Sequence, residues 1–211
     1  MKKHFSRAAV IVGTAVMIIA AGGAAAVATS TKHTRIEFKM VRSAASEMAG
    51  PGCLPNAKAS VKVRSKGPVE EMKIEASGLP KNTEFDLFVI QVPNAPFGLS
   101  WYQGDLDTNR KGKAEGTFIG RFSIETFTVA PGSTTAPVVH TSPIPDASTN
   151  PATGPVHQYH LGLWFNSPAD AKAAGCSGAL TPFNGDHTAG VQALSTKNFA
   201  PTQGPLRMLQ P

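Results

Sequence analysis

The stretch "TRIEFKMVR", residues 34–42, decides the fold class. Ile36, Phe38 and Met40 alternate with Arg35, Glu37 and Lys39. A period of two sends successive side chains to opposite sides of an extended chain, so this is a strand with one dry and one wet face. The period returns in "EEMKIEAS", where Met72, Ile74 and Ala76 turn inward, and in "RFSIETFTV", where Phe122 and Ile124 alternate with Ser123 and Glu125. In "VKVRSK", Lys62, Arg64 and Lys66 share a solvated face and Val61 and Val63 take the other. "EFDLFVIQV" (84–92) is apolar on both faces, which suits a central strand, and "GLP" and "PNAPFG" punctuate it on either side. "SWYQGDLDTN", "RKG" and "KAEGTFIG" read as a hairpin, and "HQYHLGLWF" and "AGVQALST" supply late strands. Short strands parted by Gly, Pro and Asn turns predict an all-β antiparallel sandwich.

One short helix is expected at about 167–174. Ser167 is placed to cap it, Pro168 fits its first position, Asp170 completes a capping box and Gly175 stops it. The chain has two cysteines, Cys53 and Cys176. In an exported protein two cysteines usually pair, and this pair would staple the first third of the domain to the last.

The first residues support export. "MKKHFSR" is basic, "AAVIVGTAVMII" is strongly apolar, and "AVA" at 26–28 offers small residues for cleavage, so residues 1–28 read as a signal peptide. The competing reading is an uncleaved membrane anchor, the only membrane contact expected. Cleavage would lower the net charge from +6 to +3. That balance, with no dense Lys/Arg cluster, argues against nucleic acid. Residues 29–211 then form one domain: an N-terminal strand and the Cys53 loop over 29–56, and the sandwich body over 57–211. Within the body, residues 131–155 hold six prolines, eight Ser/Thr and one charged residue, the pattern of a long surface connection.

Candidate chemistry is sparse. His157 and His160 sit three apart, but a strand sends them to opposite sides of a sheet, so sharing an ion would need a bulge between them. With Asp186 and His187 in "NGDH", they are the candidate ligands for copper or zinc. His33 and His140 are scattered elsewhere. Asp105 and Asp107 share a strand face, near Asn109. Phe97, Trp101 and Tyr102 follow a Pro-rich turn, and aromatic side chains on such loops bind sugars and peptides. No nucleophile elbow, HExxH, SxxK or P-loop is present, so no catalytic residue is assigned.

The segments "IEASGLPKNTEFDLFVIQ" and "GDLDTNRKGKAEGTF", with "HLGLWFNSPADA" and "FNGDHTAGVQALST", are similar to a group of exported bacterial proteins of no established activity with an immunoglobulin-like β-sandwich. The resemblance covers most of 57–209. It implies the sandwich and export, and no activity or functional residue. The expectation is therefore an extracellular or envelope-associated binding or structural module without enzymatic activity or cofactor, its partner an extracellular ligand or envelope component. A copper- or zinc-binding protein or metalloenzyme is the first alternative and a secreted hydrolase the second.

Overall fold

The computed structural model describes residues 33–98, 100–123, 126–129, 154–178, 181–182 and 188–209. The expected signal peptide at 1–28, residues 131–153 of the Pro/Ser/Thr-rich loop, and Asp186 and His187 lie outside the described residues.

Strand β1 (Arg35–Arg42) buries Ile36, Phe38 and Met40, as its alternation requires. A short helix, α1 (Ala44–Met48), follows; the Ser43 hydroxyl accepts from the Ser46 N–H at its start. Strands β2 (Lys58–Ser65) and β3 (Glu70–Ser77) form an antiparallel meander with β1, with Val61, Val63, Met72 and Ile74 in the core. Lys62 and Arg64 face outward, bridging to Glu37 at 3.8 Å and Glu71 at 3.2 Å. Strand β4 (Glu84–Ile90) has β5 (Ser100–Asp107) on one side and β9 (His160–Phe165) on the other. Its inward residues Phe85, Leu87 and Val89 join the main core. Strand β6 (Ala114–Gly120) pairs with β3. Strands β7 (Thr126–Val129) and β8 (Gly154–His157) form a two-stranded ladder, as do β10 (Thr181–Pro182) and β11 (Thr188–Ala189).

Helix α2 (Pro168–Ala173) lies where the capping signals put it. The Ser167 hydroxyl accepts from the Asp170 N–H at 3.1 Å and donates to the Asp170 carboxylate at 2.7 Å. Strand β12 (Gln192–Ser195) pairs with both β9 and β1. A 3-10 turn, Pro205–Met208, ends the described chain and buries Leu206 beside Leu209. Among the described residues no helix is long and apolar enough to cross a membrane.

The all-β expectation holds, but hydrogen bonds join the strands into one antiparallel sheet, in the order β5-β4-β9-β12-β1-β2-β3-β6, nearly closed into a barrel. The sheet consists of two four-stranded halves. Their joint is short: only Val41↔Ser195 and Arg42↔Leu194 are in register between β1 and β12, against eight pairs between β2 and β3. The side chains of Ser43 and Ser46 reinforce it by donating to the Gln192 carbonyl. The expected β5–β6 hairpin does not form. Its strands bond to β4 and β3 and meet only across the barrel's open seam, where the Phe118 ring lies against Gly104 and Gly116. The disulfide Cys53–Cys176 is present and buried, with its Cα atoms 4.8 Å apart. Such a bond points to an oxidising compartment.

Candidate functional site

The outward face of β4 carries the chemistry. Strict alternation places Glu84, Asp86, Phe88 and Ile90 there, because Phe85, Leu87 and Val89 point inward. Register then selects their neighbours. On β5, Asp107 lies opposite Glu84, Asp105 opposite Asp86, and Tyr102 opposite Phe88. On β9, Trp164 lies opposite Asp86 and Gly162 opposite Phe88. The face is thus an acidic patch at one end and an aromatic one at the other.

A bulge in β5 makes this possible. Residues three apart on a regular strand face opposite ways, yet Tyr102 and Asp105 share a face because the register shifts between Leu87↔Gly104 and Phe88↔Tyr102. Gly104 takes φ 145° there, and a Cβ at that position would press into the Phe118 ring. The Tyr102 hydroxyl therefore reaches the Asp105 carboxylate and donates to it. The rings continue inward as a chain: Tyr102 on Phe88 (5.6 Å between centroids), Phe88 edge-on to Trp164 (5.4 Å), and Phe97 edge-on to Trp164 (5.1 Å). Trp164 can lie across the sheet because its neighbour is Gly162; a Cβ there would overlap the indole. Phe88, Phe97 and Trp164 join Ile90 and Ala189 in a second small core outside the barrel, with Tyr102 at its exposed edge.

Glu84, Asp86 and Asp105 each offer an oxygen within 4.8 Å of the others. They are the one such group of His, Cys, Asp or Glu among the described residues. Asp86 is buried, whereas Asp105 is exposed. Glu84 is held above the ordinary carboxylate range, first by desolvation and then by the negative charges of Asp105, Asp107 and Asp170. Desolvation and Asp105 likewise push the Tyr102 hydroxyl upward, so it stays protonated and remains a donor. Among the described residues, Glu84, Asp105 and Asp107 form no ion pair with a base. Asn109 is not part of this patch's hydrogen bonding; its Oδ1 accepts from the Lys111 and Lys113 N–H groups and shapes the turn after β5. An all-oxygen donor set suits a hard cation such as calcium better than copper or zinc.

The histidine candidates are placed differently. His157 ends β8, is exposed, and stacks on Tyr159 at 5.1 Å. His160 begins β9 fully buried, with Nδ1 2.9 Å from the Thr196 hydroxyl and Nε2 3.1 Å from the Pro201 carbonyl. Both ring nitrogens are engaged, which leaves His160 none to offer copper or zinc. The aromatic candidates divide as well. Phe97 and Tyr102 belong to the ring chain, but Trp101 is on the other side of β5, across from the inward-facing Val89, and remains 52 % exposed. Sequence reasoning passed over Glu84, Asp86, Phe88 and Trp164. Glu84, Asp86 and Phe88 lie in a segment that reads as apolar on both faces and Trp164 in a late strand, so their meeting on one face is apparent only once β5 and β9 are known to flank β4. Comparison of the chain with protein-family models, curated proteins and solved structures finds no match.

Proposed function

We propose that this chain is an exported, non-enzymatic binding module of the extracellular space or cell envelope, and that it takes a positively charged partner on the outer face of β4 and β5. The observation that carries the reading is the crowding of Glu84, Asp86, Asp105 and Asp107 on one face with no base bridging Glu84, Asp105 or Asp107 among the described residues. Like charges so close cost free energy: after desolvation, the charges of Asp105, Asp107 and Asp170 raise Glu84 further, and a cationic partner relieves that part of the cost. The adjoining Tyr102 ring, 44 % exposed, adds an apolar and cation-attracting surface. The buried disulfide and the N-terminal segment support export. The immunoglobulin-like sandwich remains the finer fold assignment, supported by the two four-stranded halves.

The test is a titration of the disulfide-bonded protein with hexalysine, hexaglutamate and an uncharged oligosaccharide, read by calorimetry at low and at moderate salt. Saturable binding of hexalysine alone, weakened by salt and abolished in Glu84→Gln/Asp105→Asn/Asp107→Asn, is the expected result. Equal binding by wild type and triple variant, or binding of the oligosaccharide alone, overturns it. Calcium is the competing cation: displacement of hexalysine by calcium places both on the same carboxylates, and calcium binding without hexalysine binding replaces the proposed partner with a metal ion.

A further inference from the structure

We propose that His160 is an acid-sensitive latch that fastens the C-terminal segment, residues 196–209, across the end of the barrel. The segment leaves β12, passes over His160, and returns to the barrel end. There the Leu206 N–H donates to the Tyr159 carbonyl at 3.2 Å and the His33 N–H donates to the Met208 carbonyl at 2.8 Å. Leu206 and Leu209 are buried in the main core. His160 ties down the start of this path. A carbonyl can only accept, so Nε2 carries the proton and donates to Pro201, while Nδ1 accepts from the Thr196 hydroxyl. The Thr196 oxygen also accepts from the Leu161 N–H at 3.1 Å. One neutral imidazole thus joins β9 to the segment at two points.

A second proton reverses half of this arrangement. A protonated Nδ1 must donate, and the Thr196 hydroxyl must then turn towards the Leu161 carbonyl, 3.4 Å away. The added charge sits on a side chain with no exposed surface. Opening the segment brings the ring into water, where the charge is solvated. Burial holds His160 below its ordinary value, opposed by the backbone groups at Pro201, Ala200 and Thr196. The titratable groups on the surrounding elements are Tyr159 on the β8–β9 connection, Lys197 paired with Glu47, Arg207 on the 3-10 turn, and the exposed His33 beside Leu209. His33 and His157, the latter stacked on Tyr159, are the other imidazoles next to this path, so both serve as controls.

Hydrogen exchange of the Leu206 and Leu209 amides, corrected for intrinsic chemistry, reads the latch between pH 7.5 and pH 4.5. Opening should rise by about tenfold for each pKa unit that separates the closed and open forms of His160. Its midpoint should match the His160 imidazole titration followed by NMR in the same wild-type sample. His160→Gln, whose amide can still donate to Pro201, should remove the acid dependence, and His33→Gln and His157→Gln should each retain it. Protection that stays constant while His160 titrates overturns the proposal, as does acid opening that survives in His160→Gln. Should that variant fail to fold, the coincidence of the two wild-type midpoints decides.

Discussion

Replacing both Cys53 and Cys176 by alanine tests how the two halves of the sheet are held together. Cys53 follows α1, on the connection between β1 and β2 in one half, and Cys176 follows α2, beyond β9 in the other. The bond encloses a loop with a sequence separation of 123 residues. The chain-entropy relation for a loop of that length gives about 5 kcal/mol of stabilisation through restriction of the unfolded chain. For a domain of this size that corresponds to a fall in Tm of roughly 10–20 °C, at about 2–4 °C per kcal/mol. The native ladder across the joint has little to offset such a loss, since only two residue pairs are in register there. Urea unfolding of the oxidised protein and the double variant, followed by circular dichroism, measures the difference. A loss below about 1 kcal/mol would refute the argument, because it would mean that the unfolded chain is already constrained or that the bond distorts the native joint.

Other substitutions probe the face and its supports. Glu84→Gln should stabilise the protein at neutral pH and leave it nearly unchanged in acid: a carboxylate whose folded pKa is raised contributes stability below its unfolded value and loses it as pH rises through the folded one; a stability-versus-pH comparison with wild type reads the converging curves. Gly162→Ala puts a methyl group into the Trp164 ring and the Gln192 amide, and overpacking of this kind costs about 1–3 kcal/mol; unchanged urea stability together with unchanged tryptophan emission would contradict the close approach. Glu70 is buried and accepts from both the N–H and the hydroxyl of Ser123; Glu70→Ala leaves those donors without their acceptor and should cost about 1–3 kcal/mol in thermal or urea unfolding.

Period-two patterning was enough to find β1, β2 and β3, because each buries alternate apolar residues in one core, and the apolar run over 84–92 was enough to find β4. The second helix was equally legible: Ser167, Pro168, Asp170 and Gly175 act within a few residues of one another, so their meaning is local. Pairing is not local. The turn "TNRKG" looks like the tip of a hairpin, yet β5 and β6 separate there to join different halves, since each finds a longer ladder on β4 or β3. The candidate face was hidden for the same reason. Asp105 and Asp107 were visible as a pair, but their meeting with Glu84 and Asp86 depends on register, and the side on which Tyr102 emerges depends on a bulge that Gly104 permits. Nor does the segment around Ser43 carry an apolar stripe long enough to announce α1, which is held by two serines reaching a carbonyl far along the chain.

The place of β12 between β9 and β1 has a kinetic consequence. A polypeptide emerging N-terminus first, from a ribosome or a translocation pore, displays the edges of β1 and β9 until residues 192–195 arrive to occupy the gap. Such late, distant contacts make acquisition of the native state slow. Meanwhile the two waiting edges are templates for erroneous pairing between neighbouring nascent chains, and assistance from a holding chaperone would matter most during that interval.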